Sequence, residues 1–170
     1  MMELNVTDLN AKATLCKKLA SVIQQAVVVC IGTERVVADS LGPRVGSLLN
    51  ENLNAPLFVY GLQGANITAK NLHSVIPWIK QMHPNKQLLV VDAAVGEIEQ
   101  VGKIQFVDGD IAPGAATNKQ LDRIGDVSIV GIVADKNMLD FYENSVEQSI
   151  LVERLSQFIA MAIIAASKNA

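Results

Sequence analysis

Apolar residues along this chain fall into two kinds of run. AVVVCI (26–31), APLFVYG (55–61), QLLVVDAAV (87–95) and VSIVGIV (127–133) are short and mostly apolar, and AVVVCI is continuous and rich in β-branched residues. Such runs mark strands buried on both faces of a parallel sheet. Elsewhere the apolar positions recur at helical spacing. Leu9, Leu15, Leu19, Val22 and Ile23 predict a first helix to about Gln24, capped by Thr7 or Asp8. Val45, Leu48, Leu49 and Leu53 predict a second, from about Ser40 to Asn52. A third is expected over 69–82, where Pro77 should kink or end it. A long last helix is expected from about Ser145 to Ser167. KIQFV (103–107) and a polar Gly/Pro loop (108–118) precede the final apolar run.

Strands that alternate with helices predict an α/β protein. The expected architecture is a single domain over 1–170, a three-layer α/β/α sandwich with a mainly parallel central sheet and right-handed crossovers, phosphorylase/hydrolase-like in layout.

Composition narrows the function. Half of the 170 residues are apolar and 18% are charged, so a sizeable core can form. A net charge of −3 leaves no basic face for phosphates and argues against nucleic acid as a partner. The N-terminus lacks a basic stretch followed by an apolar one, and FIAMAIIAA (158–166) is short of a membrane span. The expectation is a cytoplasmic protein with no membrane partner. Cys16 and Cys30 read as core residues rather than a disulfide or zinc pair. His73 and His83 are placed too poorly for a metal site, and no cofactor is implied.

Ligands of an open parallel sheet bind outside the carboxyl ends of its strands, where the strand order reverses. Asp39 follows the first apolar run after a short loop, and Asp92 closes the third. If those strands are neighbours, both carboxylates face one crevice. Two close carboxylates can share a proton and activate water. A helix cap is the plainer alternative for Asp39. Asp135, after the last apolar run, reads as a cap for the next turn. The 108–118 loop offers backbone N–H groups and polar tips. No phosphate-binding glycine loop, nucleophile elbow or Cys–His pair is spelled out.

At these residues the chain resembles a known family. IGTERVVADSLGPRVG is similar to the G-T-D-R-x-x-x-D-[SA]-L-G-P-x-V-G signature of the small YyaC-type sporulation proteins. The likeness runs on through PLFVYGLQGANITAKNLHSVI, VVDAAVGEIEQVGKI, IAPGAATNKQLDRIGDVSIVGIV and MLDFYENS. That family in turn resembles the germination protease of spore-forming bacteria, an atypical aspartic endopeptidase acting on small acid-soluble spore proteins. More distantly it resembles the hydrogenase-maturation endopeptidases. The resemblance places the two catalytic aspartates on Asp39 and Asp92, and substrate-binding positions on Glu34, Asn71, Pro113, Gly114 and Asn118. Glu34 stands where the family usually has aspartate, and ITAKNL replaces a HATNL-like segment.

The implied activity is hydrolysis of a protein or peptide substrate, with small basic spore proteins as one expected class. The alternative is a non-catalytic or maturation-type protein that binds a peptide or a divalent metal in the same crevice. The last helix leaves a homodimer open, against the simpler expectation that it packs on its own sheet.

Overall fold

A computed structural model describes residues 1–52, 57–113, 122–137 and 144–168. Its centre is a six-stranded sheet of β1 (Met2–Asn5), β2 (Ala26–Cys30), β3 (Phe58–Tyr60), β4 (Gln87–Gly96), β5 (Lys103–Val107) and β6 (Val127–Asp135), in the order β1-β5-β6-β4-β2-β3. β3, β2, β4 and β6 are mutually parallel, while β5 runs antiparallel to both β6 and β1. The helices are α1 (Ala11–Ala20), α2 (Leu41–Asn52), α3 (Leu72–Met82) and α4 (Val146–Lys168).

The continuous apolar runs serve two cores. Ala26, Val28 and Cys30 of β2 face one layer with Leu89 and Val91 of β4, under α1, α2 and α4. Val27, Val29, Leu88 and Val90 face the other, under Leu72, Ile76 and Ile79 of α3. A strand between two helical layers has no polar face, and hence the unbroken AVVVC and LLVV runs. The sandwich is the one expected.

Several local expectations change. β1 was not foreseen, and α1 starts only at Ala11 because Asn5 and Asp8 side chains accept N–H groups in the preceding turn. Leu9 lies before the helix and is 97% exposed rather than on its apolar face. Pro77 sits inside α3 without ending it, since Ile76 and Ile79 stay anchored in the core. α4 has the length expected of the last helix. By length and composition it could cross a membrane, yet half of that stretch is buried in the protein, where it packs against α1, α2 and β6. Ile150 and Met161 on it remain about half exposed.

Candidate functional site

The sheet edge is stepped. β2 and β4 pair in register from Ala26 with Gln87 to Cys30 with Val91, and Ile31 then bridges to Ile67 in the loop after β3. At Gly32 the chain turns away from the sheet, whereas β4 continues to Gly96. Asp92 therefore does not close its strand as expected. It lies inside β4, opposite Val130 of β6, just past the point where β2 stops pairing. Alternation with Val90 and Val91 puts it on the α3 side of the sheet. It is 4% exposed, and its Oδ1 accepts the Ala93 N–H at 2.9 Å.

Asp39 reaches the same edge by another route. Its residue is the middle of a single 3₁₀ turn, Ala38–Ser40, that leads into α2 and packs against β4. The Asp39 carbonyl accepts the Thr33 N–H at 3.0 Å, which closes the loop from β2. Gly32 has φ +135°, and a side chain there would strike that carbonyl. The turn is held from outside by polar side chains. Ser40 Oγ donates to the Val37 carbonyl, Arg44 Nε donates to Ser40 Oγ, and Arg44 is paired with Glu153 of α4 at 2.6 Å. The Asn144 side chain accepts the Val37 N–H.

Asp39 opens onto a cleft of about 370 Å³, with Thr33 and Arg35 on one wall and Asn66, Thr68, Ala69 and Lys70 on the other. Burial pushes the Asp39 carboxyl up to about 6, against the opposing pull of the Thr33 backbone N–H. Asn66 Oδ1 is buried and accepts no hydrogen bond among the described residues.

Of the other predicted positions, Glu34 and Asn71 stand beside this cleft without lining it. Glu34 turns outward, and both its oxygens accept the Gly64 N–H at 3.2 Å. Asn71 braces the far wall: its Oδ1 accepts the Thr68 N–H at 2.7 Å and its Nδ2 donates to the Asn66 carbonyl at 3.0 Å. Pro113 is buried, and its segment starts at the opposite sheet edge, because antiparallel β5 ends where Val107 meets Ser128 at the start of β6. There Ser128 Oγ donates to the Gly109 carbonyl, and Ile111 bridges to Ile124. Gly114 and Asn118 lie outside the described residues. Asp135 caps the next turn as expected, accepting the Asn137 N–H. Cys30 is fully buried, and burial raises its thiol pKa strongly. His83 shares a 2.9 Å hydrogen bond with Tyr60. Among the described residues no three His, Cys, Asp or Glu side chains gather as a metal-ligand group.

The family model described as "Protein of unknown function (DUF1256)" matches residues 3–167. The chain belongs to this family. It is 37% identical over 141 residues to the uncharacterized protein YyaC of Bacillus subtilis (strain 168), across 80% of this chain and 69% of that protein. In three dimensions it is similar to the [NiFe] hydrogenase maturation protease HycI from Thermococcus kodakarensis KOD1. The TM-score is 0.53 at 20% identity, with 86% of this chain and 98% of HycI covered. That likeness is one of fold.

For this DUF1256 member, residue reading missed Arg35, Asn66, Thr68 and Lys70 as cleft walls. The available signal was positional. NITAK follows the β3 run, and loops after neighbouring parallel strands meet at one crevice.

Proposed function

We propose that the chain is an aspartic-type peptidase in which Asp39 and Asp92 activate water against a peptide bond. The observation that carries this reading is Asp39 itself. A carboxyl held near 6 by burial opens onto a cleft at the carboxyl edge of a parallel sheet. Its turn packs on the strand that bears Asp92. HycI, a maturation protease by name, has the same fold.

In this reading Asp39 holds the shared proton and Asp92 accepts one from water. The water oxygen attacks the carbonyl carbon while Asp39 protonates the carbonyl oxygen. The tetrahedral diol then collapses: one hydroxyl returns its proton to Asp39 as the C=O reforms, the C–N bond breaks, and the amine leaves with the proton that Asp92 took from water. Asn66 Oδ1 offers an acceptor to a backbone N–H of the substrate. The scheme requires the two carboxyls to stand within a hydrogen bond or one bridging water of each other.

The test is incubation with a randomised peptide library between pH 5 and 7, read by mass spectrometry. Cleavage that disappears in Asp39→Asn and in Asp92→Asn is expected. No cleavage by the wild type, or cleavage that survives both changes, refutes the proposal.

A further inference from the structure

We infer that the cleft beside Asp39 is built for a substrate that presents a carboxylate, through Arg35 on one wall and Lys70 on the other. The inference rests on the hydrolase reading for its geometry but not for its test. Both cations are exposed, and both line the cleft. Arg44, Lys103, Arg123 and Lys136 are each matched to an acid of this chain. Arg35 and Lys70 have no ion-pair partner among the described residues, which is equally true of Lys12, Lys80 and Arg154, and what sets them apart is that they line the cleft.

Their position is set by the fold. Arg35 lies in the loop between β2 and the Asp39 turn, closed by the Thr33–Asp39 bond. Lys70 lies in the loop that Asn71 ties down through Thr68 and Asn66. Two braced loops thus bring one positive charge each to opposite sides of the cleft.

The acids nearby offset them only in part, with Asp92 ionised in the peptidase reading. Glu34 is directed to the Gly64 N–H. Asp39 is the acid lining the cleft and is held uncharged over part of the acidic range. The buried Asn66 Oδ1, which asks for an N–H donor, completes a set suited to a peptide backbone next to a carboxylate. The carboxylate has two sources: an Asp or Glu side chain close to the bond acted on, or the free C-terminus of a chain.

Binding separates these from each other and from turnover. Labelled pools of ten-residue peptides, randomised around one fixed central residue, are titrated by anisotropy into Asp39→Asn protein at low salt. Four pools are used: central Glu with amidated end, central Gln with amidated end, central Gln with free end, and central Lys with amidated end. At least ten-fold tighter binding of either carboxylate-bearing pool than of the amidated Gln pool is expected. The gain should vanish with added salt and in an Arg35→Gln/Lys70→Gln variant. Preference for the Glu pool identifies a side chain as the source, and preference for the free-end Gln pool identifies a terminus. Equal binding of all pools, absence of binding, or preference for Lys overturns the inference. The same pools given to wild-type protein report hydrolysis separately. Cleavage without carboxylate preference refutes this inference alone, and carboxylate-dependent binding without cleavage refutes the peptidase alone.

Discussion

Ile31 donates its backbone N–H to the carbonyl of Val91 at 2.8 Å, and the β2–β4 ladder ends with that bond, one residue short of Asp92. Beyond it β2 turns off at Gly32 and β4 continues beside β6. The step so formed is bordered by the loop that Thr33 and Asp39 close. An acid placed there is close to a binding edge and still nearly out of water. Asp92 is held there by the Ala93 N–H, in a strand whose other buried residues are Leu, Val, Ala and Gly.

Asparagine at either acid keeps the size and one carbonyl oxygen, so Asp92→Asn can still accept the Ala93 N–H. If the two carboxyls share a proton, each single change should lower peptide hydrolysis by about 100-fold or more. Thermal melts should show the fold intact. A variant that keeps more than about a tenth of the wild-type rate would remove its residue from the mechanism.

The raised pKa of Asp39 also has a sign in stability. Its ordinary value is 3.8 and its folded value about 6. Between those values the native state binds more protons than the unfolded chain, so the Asp39 contribution to stability falls as pH rises from about 4 to about 6 and stays lost above that. Asp39→Asn removes this penalty. The variant should be more stable than wild type at pH 8, by on the order of 1–2 kcal/mol for a partly exposed group, with the advantage shrinking toward pH 4. Melting temperatures at both pH values check it, and an advantage that is larger at pH 4 would contradict the assignment. If Asp39 is the proton donor in hydrolysis, kcat/KM should decline as pH passes about 6.

Much of this fold was legible because burial writes itself into the residues. The runs around Val28 and Val90 are apolar at every position, since both their faces are covered. Asp39 and Asp92 stand out against such runs. β1 was not legible: MELN is a four-residue edge strand, half-buried at best, with Glu3 and Asn5 turned outward. The reversed direction of β5 was not legible either, as the inward Ile104 and Phe106 have the same spacing in either direction. Asn66 and Lys70 join Asp39 through the Ile31–Ile67 bridge and the Gly32 N–H bond to the Ile67 carbonyl, contacts between segments with no shared periodicity. The structural work of Asn71 and Arg44 is likewise a property of the assembled loops.

Asn71 offers a direct check on that last point. Its amide makes two bonds that hold the 66–71 loop, one to the Thr68 N–H and one to the Asn66 carbonyl. Asn71→Ala should lose about 1–3 kcal/mol, as half-buried groups are left unsatisfied. Asn71→Asp keeps the acceptor and loses the donor, so it should fall between. Denaturant unfolding measures both. If Asn71→Ala leaves stability unchanged but abolishes peptide binding, Asn71 contacts substrate rather than bracing the wall.

Gly42 tests the placement of Asp39 most sharply, because two rules predict opposite signs for Gly42→Ala. Gly42 is in the first turn of α2, where alanine would ordinarily add up to about 1 kcal/mol of helix stability. Here a β-carbon would run into the backbone carbonyl of Ile31 at the end of β2. Backbone cannot swing aside as a side chain can, so α2 must lift away and take the Asp39 turn with it. The steric rule should win, with a net loss of about 1–3 kcal/mol and a larger proportional loss of any cleft-dependent binding. Gly64→Ala is the comparison. Its φ of +80° strains alanine by about 1–2 kcal/mol, but the space around it is open and it is not one of the cleft's lining residues. That variant should melt slightly lower with peptide affinity nearly intact. A Gly42→Ala protein that melts higher than wild type would mean that α2 is not seated against the end of β2, and the position of Asp39 would lose its physical basis.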